Sequence, residues 1–227
     1  MSTTTTGTAR RRPLVLALPP AAAAVVLALL TWQVTSGGPL TRLDAAVRDG
    51  LGAYIDAHPD IWWPAQIAAD IGTPWLAAVL LGVVAVVLGL ERHTGAPVYR
   101  AAFALFLLGV TVLFMKGLIH RPGPAGGPPP GLNGFFPSGH TASALTCYGT
   151  VALLVAAGRR PAVRALLLTL LAALGALVAT GLLICEYHWL SDVLASAVLS
   201  SALLWLTFPP GHNTSLRPGG DGDAEGG

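Results

Sequence analysis

Long apolar stretches alternate with short polar connectors along most of this chain. Six stretches, near residues 14–34, 72–90, 101–120, 139–158, 165–187 and 189–208, reach or approach the roughly 20 residues that a helix needs to cross a hydrocarbon core. Residues 35–71 break the pattern. They carry Asp44, Asp49, Asp56, Asp60 and Asp70, and within them LTRLDAAVRDGLGAYI repeats its apolar positions at helical spacing. That spacing predicts an amphipathic helix lying on a membrane surface rather than crossing it. Small residues at Ala172, Ala176 and Thr180 predict a face of the fifth span suited to close packing against a neighbour. Beyond the last stretch, residues 209–227 are rich in Gly with Asp221, Asp223 and Glu225, a composition that predicts a disordered tail.

Composition agrees with this pattern. Of 227 residues 53% are hydrophobic and 11% charged, with a mean hydropathy of +0.65, which points to an integral membrane protein. A formal net charge of +2 leaves no basic face suited to nucleic acid. Cys147 and Cys185 fit neither a disulfide framework nor a zinc cluster, and their places in the predicted helices argue against pairing. Arg10, Arg11 and Arg12 precede the first stretch as they would a secretory signal. The stretch is long for one, however, and no small-residue cleavage site follows, so a retained helix behind a cytoplasmic tail of residues 1–13 is expected, with Pro19 and Pro20 bending its start. Counting cations from a cytoplasmic N-terminus puts nine inside (Arg10, Arg11, Arg12, Arg92, Arg100, Arg159, Arg160, Arg164, Arg217) and four outside (Arg42, Arg48, Lys116, Arg121). The excess predicts both termini on the cytoplasmic side. The expected fold is therefore an all-α membrane protein, a six-helix bundle spanning residues 14–208.

This topology brings three polar clusters to the outer face. The first is KGLIHRPGP, from Lys116 to Pro124; taken alone it reads as a snorkelling lysine and a flanking arginine at a helix end. The second is PSGH at Pro137 to His140, where Ser138 is a good N-cap and the free amides of the helix start attract anions. The third places His188 and Asp192 at i and i+4, so that the carboxylate can hold one ring nitrogen and fix the tautomer. Each cluster alone has an ordinary structural reading. Ionisable residues at membrane depth are nevertheless costly, and three such clusters on one face point to function. Together they suit phosphoryl transfer: cations and backbone amides hold the phosphate oxygens, His188 attacks phosphorus, and His140 protonates the leaving oxygen.

These motifs resemble the three signatures of the type 2 phosphatidic acid phosphatase superfamily, which includes bacterial lipid phosphatases and vanadium haloperoxidases. The resemblance covers about Leu43 to Trp205, with its diagnostic residues between Lys116 and Asp192. Pro137, Ser138, Gly139 and His140 match the second motif in full, and His188 and Asp192 match the histidine and aspartate of the third. Two family cations are missing from their usual places. Six residues after Lys116 comes Gly123-Pro124 instead of Arg-Pro, with Arg121 two residues earlier, and the third motif has Gly181-Leu182 where Ser-Arg is usual. The glycines at 123, 126 and 127 give the loop freedom to bring Arg121 to the phosphate by a shifted path.

The resemblance implies an integral-membrane lipid phosphatase of the bacterial plasma membrane, working at the outer leaflet through a phosphohistidine on His188. Its site residues would be His188, His140 and Asp192 for catalysis, and Lys116, Arg121, Ser138 and the Gly139 amide for phosphate binding. The chemistry it implies is metal-independent, so no cofactor and no metal are expected. The partners are a lipid phosphate substrate and membrane lipids, with no nucleic acid. Polyprenyl diphosphate or phosphate and phosphatidate-like lipids both fit as substrates. A binding or transport protein that has lost turnover through Gly123 and Leu182 is the alternative, and a soluble haloperoxidase fits less well. Glu186 reads as an exposed residue, as a partner of Lys116 or Arg121, or as a charge acting on His188. A metal site from Cys185, Glu186, His188 and Asp192 would leave PSGH unexplained.

Overall fold

A computed structural model describes residues 11–126 and 134–210 of the chain, with side chains from Leu18 onward. The expected tails, residues 1–13 and 209–227, fall largely outside the described residues, as does Gly127. All regular structure among the described residues is helical: α1 Arg11–Thr35, α2 Pro39–Ala57, α3 Trp62–Ile71, α4 Pro74–Glu91, α5 Ala96–Ile119, α6 Gly139–Ser143, α7 Gly149–Ala156, α8 Pro161–Ile184 and α9 Leu190–Thr207. A π turn, Ala144–Tyr148, joins α6 to α7 without a break, and a 3₁₀ turn, Pro59–Ile61, leads into α3. Proline in the first turn starts α2, α4, α5 and α8, where its missing N–H costs nothing.

Among the described residues, five helices are long and apolar enough to cross a membrane, with windows Leu18–Thr35, Pro74–Glu91, Ala96–Ile119, Pro161–Ile184 and Leu190–Thr207. The remaining expected span, 139–158, is the unbroken α6–π–α7 segment, which lies at the centre of the bundle against α4, α5, α8 and α9. Its buried Ala142, Cys147 and Leu154 join Leu81 and Ala85 of α4 and Leu199 and Leu203 of α9 in the main core. The outer surfaces of α4 and α5 remain apolar and exposed at Val79, Val83, Phe106 and Val110, as lipid-facing helices require. Both cysteines are free and buried.

Residues 35–71 form two helices rather than one surface segment. The α2 helix packs on α1, α8 and α9, while α3 lies along α8. Small residues make that last contact: a Cβ on Gly181 would stand 2.4 Å from the Ala65 carbonyl oxygen and 3.0 Å from the Ala68 Cβ. The face expected from Ala172, Ala176 and Thr180 is corrected here. Those three are exposed, and the packed face of α8 is Gly175, Val178, Gly181 and Leu182. Helical spacing fits either stripe; α3, whose helix was not foreseen, selects the second.

Candidate active site

Three chain segments build the site. The last turn of α5 supplies Lys116, and His120 ends that helix in the left-handed conformation at φ 47°. The chain then runs through Arg121 and returns at Gly134, whose N–H donates to the Lys116 carbonyl at 3.2 Å. Glycine is required there, because a Cβ would meet the Arg121 nitrogen and the His120 Cα at 2.8 Å. The Lys116 Nζ donates back to the Gly134 carbonyl at 2.8 Å, so the ammonium is held over the entry of the second segment.

In that segment Ser138 N-caps α6, its Oγ accepting from the Thr141 amide at 3.3 Å. Gly139 and His140 follow in the first turn. The third segment starts after the turn at Glu186, which has φ 53°. Here His188 sits just before α9 and Asp192 in its first turn. The buried Asp192 Oδ2 accepts the Trp189 amide at 3.1 Å and lies 3.2 Å from His188 Nδ1. The ring is thereby oriented with Nε2 free of that contact, and Phe135 stands edge-on to it at 5.8 Å between centroids. Ser138 N–H donates to the Asp192 carbonyl at 3.2 Å, and Ser196 Oγ donates to the carbonyls of both residues. The second and third segments are locked together through backbone and hydroxyl.

A cavity of about 600 Å³ opens beside these residues. Lys116, Gly134, Phe135, Gly139, His140 and His188 line its polar end, and Pro74 and Ala78 of α4 with Leu105 to Leu113 of α5 line the rest. At about 1.5 Å of rise per residue the wall from Lys116 to Leu105 is about 16 Å long. The arrangement is a cationic, imidazole-lined head with an apolar trough leading from it.

The sequence-predicted residues divide on this geometry. Lys116, Gly139, His140 and His188 meet at the cavity, and Asp192 supports His188 from behind. Ser138 is fully buried as a helix cap, and its side chain does not line the cavity. Arg121 does not line it either. Its Nη1 donates to Asp192 Oδ1 at 2.5 Å and to Ser191 Oγ at 2.6 Å, and its Nη2 donates to Asp44 Oδ2 at 2.6 Å. The physical reason is charge: two carboxylates buried at 1% and 0% exposure demand a counterion, and the guanidinium fork satisfies both.

The positions of the missing family cations are filled otherwise. Gly123 lies under the Phe135 ring, where a Cβ would come within 2.7 Å of it. Leu182 is fully buried in an apolar cluster with Ala69, Ala144 and Val178. Glu186 reaches toward α2 at Gly52. Among the described residues no three His, Cys, Asp or Glu side chains are grouped to hold a metal, so the Cys185, Glu186, His188 and Asp192 set does not converge.

Asp44 and Ser191 were not foreseen. Ser191 Oγ donates to Asp44 Oδ2 at 2.6 Å, and its N–H donates to Asp44 Oδ1 at 2.8 Å. A signal for Asp44 was present in the sequence: it shares a helical face with Leu40, Val47, Leu51 and Ile55, where an apolar residue is the rule.

Comparison with known proteins agrees with this picture. The PAP2 superfamily sequence pattern matches residues 97–213, and the chain belongs to that superfamily. The fold is similar to the crystal structure of the first transmembrane PAP2 type phosphatidylglycerolphosphate phosphatase from Bacillus subtilis, with a TM-score of 0.69 at 17% identity, over 83% of this chain and 94% of that one. No curated protein matches the sequence significantly.

Proposed function

We propose that this protein is a membrane lipid phosphatase that cleaves a phosphate monoester or diphosphate of a lipid through a phosphohistidine. The observation that carries the reading is the cavity, in which Lys116, Gly139, His140 and His188 converge at the head of an apolar trough. A lipid phosphate would put its headgroup against Lys116 and the Gly139 amide and leave its chain along α5. His188 Nε2 attacks phosphorus while Asp192 holds Nδ1; the N–P bond forms as the P–O bond to the lipid breaks, and His140 gives its proton to the departing oxygen. His140 then takes a proton from water as that water attacks phosphorus, the P–N bond breaks, and inorganic phosphate leaves.

Six spans with both termini cytoplasmic would place the site at the outer leaflet of a bacterial plasma membrane. Supporting this, Arg92 and Arg100 lie at the far ends of α4 and α5 from the site, with Arg92 donating to the Leu154 carbonyl and Arg100 stacked on Phe208.

The test is phosphate release by purified protein in detergent from polyprenyl phosphate, polyprenyl diphosphate, phosphatidate and phosphatidylglycerol phosphate, with EDTA present. Turnover that is inhibited by orthovanadate and abolished in His188→Ala is expected. A second reading, a lipid-phosphate binding or transport protein, is favoured by one feature: Lys116 is the one lysine or arginine among the described residues lining the cavity. Lipid phosphate binding without release by the wild type would select it.

A further inference from the structure

We propose that Asp44, on α2 and outside the stretch matched by the family pattern, is a positioning residue for this reaction, acting on His188 through Arg121 and Asp192. The inference rests on the phosphatase reading above. Asp44 is the sole buried residue described in α2. A buried carboxylate is a poor anchor, since desolvation offsets most of what its ion pair returns and an apolar side chain would hold the helix as well. Its position is better explained by what it touches.

Arg121 divides its donors between Asp44 on one side and Asp192 with Ser191 on the other. Without Asp44, the guanidinium turns wholly on Asp192, drawing that carboxylate from the His188 ring and weakening its support of the imidazole. The Ser191 amide, in the first turn of α9, also loses its acceptor. Both changes displace the turn that carries His188 and Asp192. With Asp44 present, the Arg121 charge is shared and Asp192 Oδ2 is left for the ring and the Trp189 amide.

The experiment compares wild type, Asp44→Asn, Asp44→Glu and the exposed control Asp56→Asn on the same helix. For each, kcat and KM are measured on the same lipid phosphate. Expected for Asp44→Asn are a kcat lower by on the order of tenfold to a hundredfold and KM little changed. Asp44→Glu recovers part of kcat, and Asp56→Asn matches wild type. An Asp44→Asn with wild-type kcat, or with a raised KM at unchanged kcat, overturns the proposal. Should Asp44→Asn not yield folded protein, Asp44→Glu carries the test, because it keeps the charge and moves the carboxylate by one methylene from Arg121 and the Ser191 amide. A kcat below wild type at little-changed KM is expected there, and a wild-type kcat overturns the proposal. A wild type inactive on every lipid phosphate defeats the phosphatase reading, whereas an active wild type matched by Asp44→Asn defeats this proposal alone.

Discussion

Replacing Arg121 by alanine separates two roles for the guanidinium. If it holds substrate, the variant folds normally and binds phosphate poorly. The structure leads to a different expectation, since the side chain is 9% exposed and bridges carboxylates that are 1% and 0% exposed. Breaking a buried pair by removing one partner costs about 3–5 kcal/mol, and this arginine serves two pairs. Taking about 3 kcal/mol as a lower figure, and about 2–4 °C per kcal/mol for a chain of this size, the melting midpoint falls by about 6–12 °C. Thermal unfolding of the purified, substrate-free protein in detergent measures this, and kcat falls with it because Asp192 loses its fixed position. Arg121→Lys should lie between, as one ammonium cannot fork to two carboxylates. An Arg121→Ala protein that melts with the wild type and shows a raised KM at unchanged kcat would refute the reasoning and put the guanidinium on the phosphate.

Other variants test separate parts of the site. His140→Ala should lower kcat by about 10²–10⁴, the usual contribution of a positioned proton donor, and the loss should be smaller for substrates with better leaving groups. Gly123→Arg, which restores the family arginine in sequence, should lower kcat/KM rather than raise it, because its Cβ would displace the Phe135 ring that stands against His188. Leu182→Arg should fail to yield stable protein by size-exclusion chromatography, since it buries a guanidinium in an apolar cluster. For topology, Ala125→Cys should react with an impermeant thiol reagent from outside intact cells and Ala162→Cys should not; labelling of both from one side would defeat the proposed orientation.

Much of the bundle was legible because hydrophobic runs long enough to span a bilayer have few alternatives. The predicted 72–90 and 189–208 lie within two residues of α4 and α9. The α5 and α8 helices begin four or five residues before the predicted starts, at first-turn prolines that apolar counting does not reach. The motifs that meet at the candidate site were legible because histidines and PSGH are rare in such runs. Less visible was anything depending on which elements meet. The shifted arginine pointed by spacing toward phosphate, but its partner Asp44 lies 77 residues away on α2, and no local pattern pairs them. Likewise α3, with three alanines packed on Gly181, was hidden in a stretch whose acidic residues drew the reading toward the surface.

The π turn at Ala144–Tyr148 carries one more residue than the helical ladder needs, and this has a consequence for how the protein tolerates change in length. It acts as a phase shifter between the cap segment and α7. Loss of one residue there would restore an unbroken α-helix, leave α7 seated on α4 and α8, and rotate everything before it by about 100°. His140 would then leave the cavity, and the buried Ala142 would turn out of the main core with it. A one-residue deletion in this turn should therefore cost both activity and stability while α7 itself stays in register, whereas the same deletion in α7 would misalign its own packing on α4 and α8.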